Sequence, residues 1–407
     1  MISFADFSPR TTPFTDFFSS RGACERALTL ARSRVLLGYN PLQRPPSESM
    51  HIPDGYLSPS TCAVLYAGAG VGWYGALRRI RHTLTARMIP LVSVFAAFSF
   101  VLMMFNLPLP GGTTGHALGV TIAAIVIGPA GAIMSISIAV AIQALFFGDG
   151  GITTLGANCF NMAIVGSLVA YAAYRMIAAG AAITSRRRLM AAAIAGYLAT
   201  NAAAFITAVE FGIQPLLFRD ARGVPLYAPY TLGVAIPAMM IGHLAIAGIA
   251  EAAIAAGLVA YLQIADPALL QNTSGVGLAA AEYQPASQKS LRKLWMTIAL
   301  LLLLTPLGVL AAGKAWGEWS ASEFSTAEGR ARITSAPQDK QALPVVPTGM
   351  KSLSTLWTAP IPGYAPPFVK SPSLGYLLSG MFGVGVVMSI SLVMQSYVRR
   401  RRAGQEA

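Results

Sequence analysis

Residues 115–147 read GHALGVTIAAIVIGPAGAIMSISIAVAIQALFF, an uncharged apolar run with a turn signal, Gly128-Pro129-Ala130-Gly131, near its middle. A hydrocarbon core about 30 Å thick is crossed by roughly 20 apolar residues in a helix, so this run is too long for one crossing. Proline lacks a backbone donor and glycine lacks stiffness, so a Gly-Pro step divides a helix. The stretch therefore predicts two short helices, 115–130 and 131–147. Working outward, further apolar runs occupy 60–77, 88–106, 159–178, 189–211, 229–262, 292–313 and 374–398. The expected fold class is all-α: a polytopic membrane protein with nine crossings, about seven helices in a core and two more at the C-terminus.

Composition agrees. The chain is 55% hydrophobic and 11% charged, with a mean hydropathy of +0.58, which excludes an ordinary soluble enzyme. The net charge of +13 could point to nucleic acid, but the basic residues fall in short clusters at the ends of apolar runs, where lipid topology accounts for them. No nucleic-acid partner is expected. Cys24, Cys62 and Cys159 have no ligand spacing and read as small packing residues.

The clusters also set orientation. Arg78, Arg79, Arg81 and Arg87 follow the first run, Arg186, Arg187 and Arg188 the fifth, Lys289, Arg292 and Lys293 the seventh, and Arg399 to Arg402 the ninth. All have the same parity, so the positive-inside rule places them in the cytoplasm together with the C-terminus. The start of the first helix and the connections 107–114, 148–158, 212–228 and 314–373 then lie outside a multi-pass inner (plasma) membrane protein. Four segments result: a polar extension at 1–49, a membrane core at 50–265, a cytoplasmic linker at 266–291, and a module at 292–407 with two membrane helices around an extracytoplasmic loop. The extension, with arginines scattered among Ser, Thr and Pro, reads either as a disordered tail or as the product of a start codon assigned too early.

Chemistry gathers outside. Met50-His51-Ile52-Pro53-Asp54-Gly55-Tyr56-Leu57-Ser58-Pro59 reads like a beginning. If the chain starts at Met50, its free amine, the His51 amide and the His51 ring fall in one plane, an arrangement suited to Ni(II) or Cu(II). His116, after the glycine-rich Gly111-Gly112-Thr113-Thr114-Gly115, lies on the same side and can supply a fourth nitrogen. The metal-ligand candidates are Met50, His51 and His116. A glycine-rich loop at 148–158 reads as a tight turn or as a cap over the metal, with Gln143, Asp149, Asn158 and Asn161 available to hydrogen-bond and orient the imidazoles. His82 reads as a solvated residue. His243, two turns from Glu251 within a span, reads first as a packing or hydrogen-bonding group.

Gly308 to Lys314 spells G-x-x-x-x-G-K, but Ala315 replaces the Ser/Thr that would hold Mg²⁺, so it is no phosphate loop. No hydrolase motif is present, so the chain is expected to be no enzyme, with any ATP energy coming from other subunits.

Met50 to Leu57, the glycine-rich stretch ending in His116, Phe146-Phe147-Gly148-Asp149-Gly150-Gly151 with Thr153 to Asn158, and Gly242-His243-Leu244 with Glu251 together resemble the CbiM/NikM family over about 50–265. These are the substrate-binding membrane components of cobalt and nickel energy-coupling-factor transporters. The resemblance implies capture of Ni²⁺ or Co²⁺ by the Met50 amine, the His51 amide and ring, and the His116 ring. It also implies partnership with a transmembrane coupling subunit and ATPase subunits in the lipid bilayer, and a transported metal with no permanently bound cofactor. The family begins at its Met-His pair, so the 49 preceding residues depart from the pattern: either the start is misassigned, or proteolysis exposes Met50, or the family's metal site is broken in this protein. Residues 292–407 resemble, more loosely, the small companion subunit of these transporters, through Gly317-Glu318-Trp319 and Pro360-Ile361-Pro362-Gly363-Tyr364. Two other readings stay open at this point: an ATP-independent secondary transporter or channel for divalent cations, and a substrate-free membrane assembly protein.

Overall fold

The structure is a computed structural model that describes residues 51–83, 89–109, 113–271, 288–311, 314–336 and 345–406. Residues 1–49, Met50, Arg87, Gly111 and Gly112, and with them several of the expectations above, lie outside the described residues, as do the side chains of Arg81, His82, Lys289 and Arg399 to Arg402. The described residues belong to one compact unit, 46–407.

The fold is all-helical apart from one short hairpin. Helix α1 (Pro59–Thr83) and α2 (Ile89–Met103) lead into β1 (Leu107–Leu109) and β2 (Thr113–Gly115). The strands pair antiparallel, with Leu107 opposite Gly115. Then come α3 (Val120–Phe147), α4 (Leu155–Ala178), α5 (Arg186–Leu217) and α6 (Leu232–Ala265). A short α7 (Ala268–Gln271) ends the core. The C-terminal part holds α8 (Gln288–Leu304), the small loop helices α9 (Ala321–Ser325), α10 (Ala327–Ser335) and α11 (Thr348–Leu353), and the long α12 (Pro372–Glu406). Six stretches among the described residues are long and apolar enough to cross a membrane: α3 to α6, Leu291–Leu310 and Pro372–Tyr397.

Helix α3 is two helices in one run. Gly128 has φ 74° and ψ 168°, a backbone that an L side chain rarely adopts, and Pro129 follows it. A straight helix of this length would be about 40 Å long. Instead both ends meet at His51, which packs on the ring of His116 before α3 and contacts Asp149 after it. The chain reverses at the Gly128 break, as the Gly-Pro signal predicts. The second apolar run is shorter than its sequence suggests, because α2 stops at Met103 and the chain turns into β1.

The core forms where small residues let helices approach. Ala191, Ala192, Ala195, Ala199 and Ala203 on α5 are buried with Ala170 and Ala173 of α4 and Ala255 and Val259 of α6. Cys62 and Cys159 are free and buried, in keeping with a packing role. In the other direction, α12 lies against α2, where Gly383 accommodates the ring of Phe100. The Ser58 amide donates to Gln214 Oε1 at 2.9 Å, so the start of α1 lies beside the end of α5. Arg78 and Arg79 at the other end of α1, and Arg186 to Arg188 at the start of α5, therefore share the opposite end of the bundle, about 30–40 Å away.

Candidate metal centre

His51 and His116 come from segments far apart in sequence and meet with ring centroids 5.1 Å apart and planes at 80°. Both are buried, at 2% and 7% exposure. Backbone anchoring puts them there. Asn158 brackets Ile52, accepting from its amide at 3.1 Å and donating to its carbonyl at 3.2 Å, and the Gly151 amide donates to the same carbonyl. Asp54 accepts from the Ile152 and Thr153 amides, tying the N-terminal segment to the 148–158 loop. Gly150 sits at φ +87°, and a Cβ there would lie 2.9 Å from His51 Cβ, so only glycine lets the loop close over the imidazole.

On the other side, the hairpin delivers His116 and Glu251 fixes the backbone just beyond it. Glu251 Oε2 accepts from the Leu118 and Gly119 amides at 2.8 and 2.9 Å, and Oε1 accepts from Thr121 at 3.3 Å. These are amides that a helix start leaves without intrahelical partners. This buried carboxylate is therefore a cap that positions the His116 loop.

His51 Nδ1 faces two acceptors, Asp149 Oδ1 at 3.2 Å and the Asp149 carbonyl at 3.3 Å, so Nδ1 carries a proton. Burial by itself would lower the His51 pKa. The adjacent Asp149 charge and hydrogen bond, with Glu318 contributing, outweigh that and leave it above the ordinary 6.5. His116 goes the other way: burial, helped by the charge of His51, lowers it to about 4, so it is a neutral imidazole with a lone pair available.

The two rings line a cavity of about 60 Å³ together with Asn161, His243, Thr207 and Glu318, room for an ion and a few waters. Three places where the helices loosen to a wider π-type turn, Gln143–Phe147, Cys159–Val165 and His243–Ala247, carry Gln143, Asn161 and His243 respectively. Such turns recur at functional sites because they re-aim side chains. Among the described residues no group of three His, Cys, Asp or Glu side chains is spaced to hold a metal ion.

The residues singled out from sequence take up different places. His51, His116 and Asp149 come together. Gln143 donates to the Tyr364 hydroxyl at 3.0 Å, while Asn161 lines the cavity but donates to Thr207 and Glu210 of α5. His243 also faces the cavity and donates from Nδ1 to the Met239 carbonyl at 2.8 Å. Sequence reading missed two residues of the C-terminal loop. Tyr364 donates to Asp149 Oδ2 at 2.6 Å, and the Glu318 carboxyl lies in the cavity wall at 4% exposure. Burial raises the Glu318 pKa to about 8, with His51 and Lys314 pulling it back down and Asp149 pushing it up. The signals available were a lone acid between aromatic residues, Trp316-Gly317-Glu318-Trp319, and a tyrosine ending a Pro-rich turn. Both were visible as motifs, but neither showed what it faced.

A bundle of apolar helices that gathers imidazoles and carboxylates into a cavity at one end defines a class, a multi-pass membrane protein with a cation-binding type of site, and its relatives are transport proteins rather than enzymes. The chain belongs to the CbiM family, cobalt uptake substrate-specific transmembrane region, whose model matches residues 51–269, and a PDGLE domain matches 292–400. It is similar to the fused nickel transport protein NikMN of Rhodobacter capsulatus, 51% identical over 87% of this chain and all of that protein. It is also similar to the cobalt transport protein CbiM of Geobacter sulfurreducens, 31% identical over 70% of this chain and 78% of that one. A solved transition metal transporter, 49% identical, aligns with a TM-score of 0.50 over 53% of this chain and 92% of its own.

Proposed function

We propose that this protein is the substrate-capture component of an ATP-driven nickel or cobalt importer. It binds Ni²⁺ or Co²⁺ at the outer face through the Met50 amine, the His51 amide and ring, and the His116 ring, and works with a transmembrane coupling subunit and separate ATPase subunits. The observation that carries the reading is the 5.1 Å approach of the His51 and His116 rings in one buried cavity. Two imidazoles alone hold a transition metal weakly, and no third side chain among the described residues is spaced to join them. Backbone and terminal nitrogens supply what is missing. The relatives named for nickel and cobalt transport and the family match over residues 51–269 support the nickel or cobalt part of this reading.

The ring nitrogen that closes a chelate with the His51 amide is Nδ1. In the metal-free cavity that atom holds a proton against Asp149, so ion and proton compete for it. Affinity falls as pH drops, and Asp149 stays beside the ion to offset its charge. The basic clusters at the far end of the bundle support an outer position for the cavity by the positive-inside rule.

Intact-mass measurement of the native protein, paired with nickel retention by His51→Ala and His116→Ala, tests the proposal. The expected result is a chain that begins at Met50 and two variants that lose metal. A native chain that retains residues 1–49 and still binds nickel normally overturns it.

A further inference from the structure

The cavity wall includes a carboxyl that the nitrogen chelate does not use. Glu318 comes from the loop of the C-terminal module, is 4% exposed, and lines the same cavity as His51 and His116. Its Oε2 has no hydrogen-bond partner among the described residues. A buried carboxyl oxygen left unpaired is costly to the fold. Lys314, four positions earlier, instead pairs with Glu323 at 2.6 Å. Firm packing holds Glu318 in place: Tyr56 of the core donates to the Trp319 carbonyl at 2.6 Å, the Thr114 amide donates to the Lys314 carbonyl at 3.0 Å, and Trp316 and Trp319 pack on Tyr230. The acid is thus fixed over the cavity by both neighbouring stretches of chain.

A hydrated Ni²⁺ or Co²⁺ is held by oxygen, and it must exchange waters for nitrogens to reach the final complex. The described side chains do not by themselves make a preformed three-ligand site. We propose that Glu318 is the oxygen donor that holds the incoming divalent ion during loading, before the nitrogens of the N-terminal segment and His116 close on it. The module fused at the C-terminus then contributes a residue to metal capture. An arriving dication favours the ionised carboxylate, and the unpaired oxygen is the one it meets. The loading role rests on the capture function proposed for the protein.

The test is stopped-flow loading of the full-length membrane protein in nanodiscs with NiCl2, followed by quenching of tryptophan fluorescence, with the visible absorption of the loaded complex recorded at the end. Glu318→Gln should load roughly tenfold more slowly, in line with the effect of removing a group that supports a metal site, and end with the wild-type absorption spectrum, because the nitrogen plane is intact. Glu318→Asp, which keeps the carboxylate, should load near the wild-type rate and guards against a folding defect in the Gln variant. Wild-type loading by Glu318→Gln, or Asp as slow as Gln, overturns the proposal. A changed final spectrum at an unchanged rate also overturns it. His51→Ala serves as the reference: if it loads normally, the chelate reading fails whatever Glu318 does. If it does not load while Glu318→Gln is normal, only the loading role falls.

Discussion

Tyr364 donates its phenolic hydrogen to Asp149 Oδ2 at 2.6 Å while Asp149 Oδ1 contacts His51 Nδ1 at 3.2 Å, so a residue of the C-terminal loop reaches the candidate metal ligand through one carboxylate. The tyrosine is fixed for this task. It stacks on Phe147 at 4.6 Å, receives Gln143 on its hydroxyl, and has φ 58°, the one positive φ outside glycine among the described residues. A conformation that a bulky side chain seldom adopts persists where the surroundings over-determine it. Tyr364→Phe keeps the stacking and removes the hydrogen bond. It should cost about 1 kcal/mol of stability and roughly tenfold in nickel retention, measured by metal content after desalting. In a double-mutant cycle with Asp149→Asn the two losses should not add, since both act on one hydrogen-bonded chain. Additive losses would separate Tyr364 from the His51 site.

The metal-free protein should lose stability as pH rises from 6.5 to 8. His51 is raised above 6.5, so its contribution is complete below that value and is lost as pH climbs through the raised pKa. Glu318 titrates near 8 instead of 4.5; the fold favours its protonated form, and that advantage also disappears with rising pH. His116, lowered to about 4, contributes above 6.5 and loses its contribution only on acidification. Metal affinity runs the opposite way, since binding displaces protons. Thermal unfolding with and without Ni²⁺ reads both trends, and Glu318→Gln should flatten the metal-free slope. A metal-free midpoint that rises between pH 6.5 and 8 contradicts the assignment.

Gly150→Ala should disable metal binding with little effect on the bundle. The loop turns there at φ +87°, and the added methyl would lie 2.9 Å from His51 Cβ and 3.0 Å from Asn158 Nδ2. A left-handed alanine costs about 1 kcal/mol, a modest loss for the whole fold. The larger consequence is displacement of His51 relative to His116, and nickel affinity by titration calorimetry should drop by roughly tenfold or more. An unchanged affinity would mean that the loop does not fix the imidazole.

The helical class and the reversal at Gly128 were readable because length, apolarity and proline chemistry act locally. The pairing of His51 with His116 could be inferred from their shared side of the membrane, a consequence of charge placement rather than of contact. Tyr364 and Glu318 were not readable in this way. They arrive from a loop with no periodic pattern, and their partners lie more than 200 residues away, as in Asp149 with Tyr364. Glu251 was visible as an acid in a span, but its capping role depends on α6 passing the start of α3, which no local signal encodes.

Removing that cap should loosen the histidine before the bundle. Glu251 satisfies three amides immediately after His116 from a fully buried position, so Glu251→Ala leaves donors unpaired where water does not replace the carboxylate. The loss should be about 3 kcal/mol, large for a single substitution. It should be felt first at the His116 loop, which loses its anchor while α5 and α6 keep their alanine packing. Hydrogen exchange should therefore accelerate at 116–121 before the helices, with nickel retention falling in parallel. Uniform acceleration across the bundle would show that Glu251 supports the whole fold and not the histidine in particular.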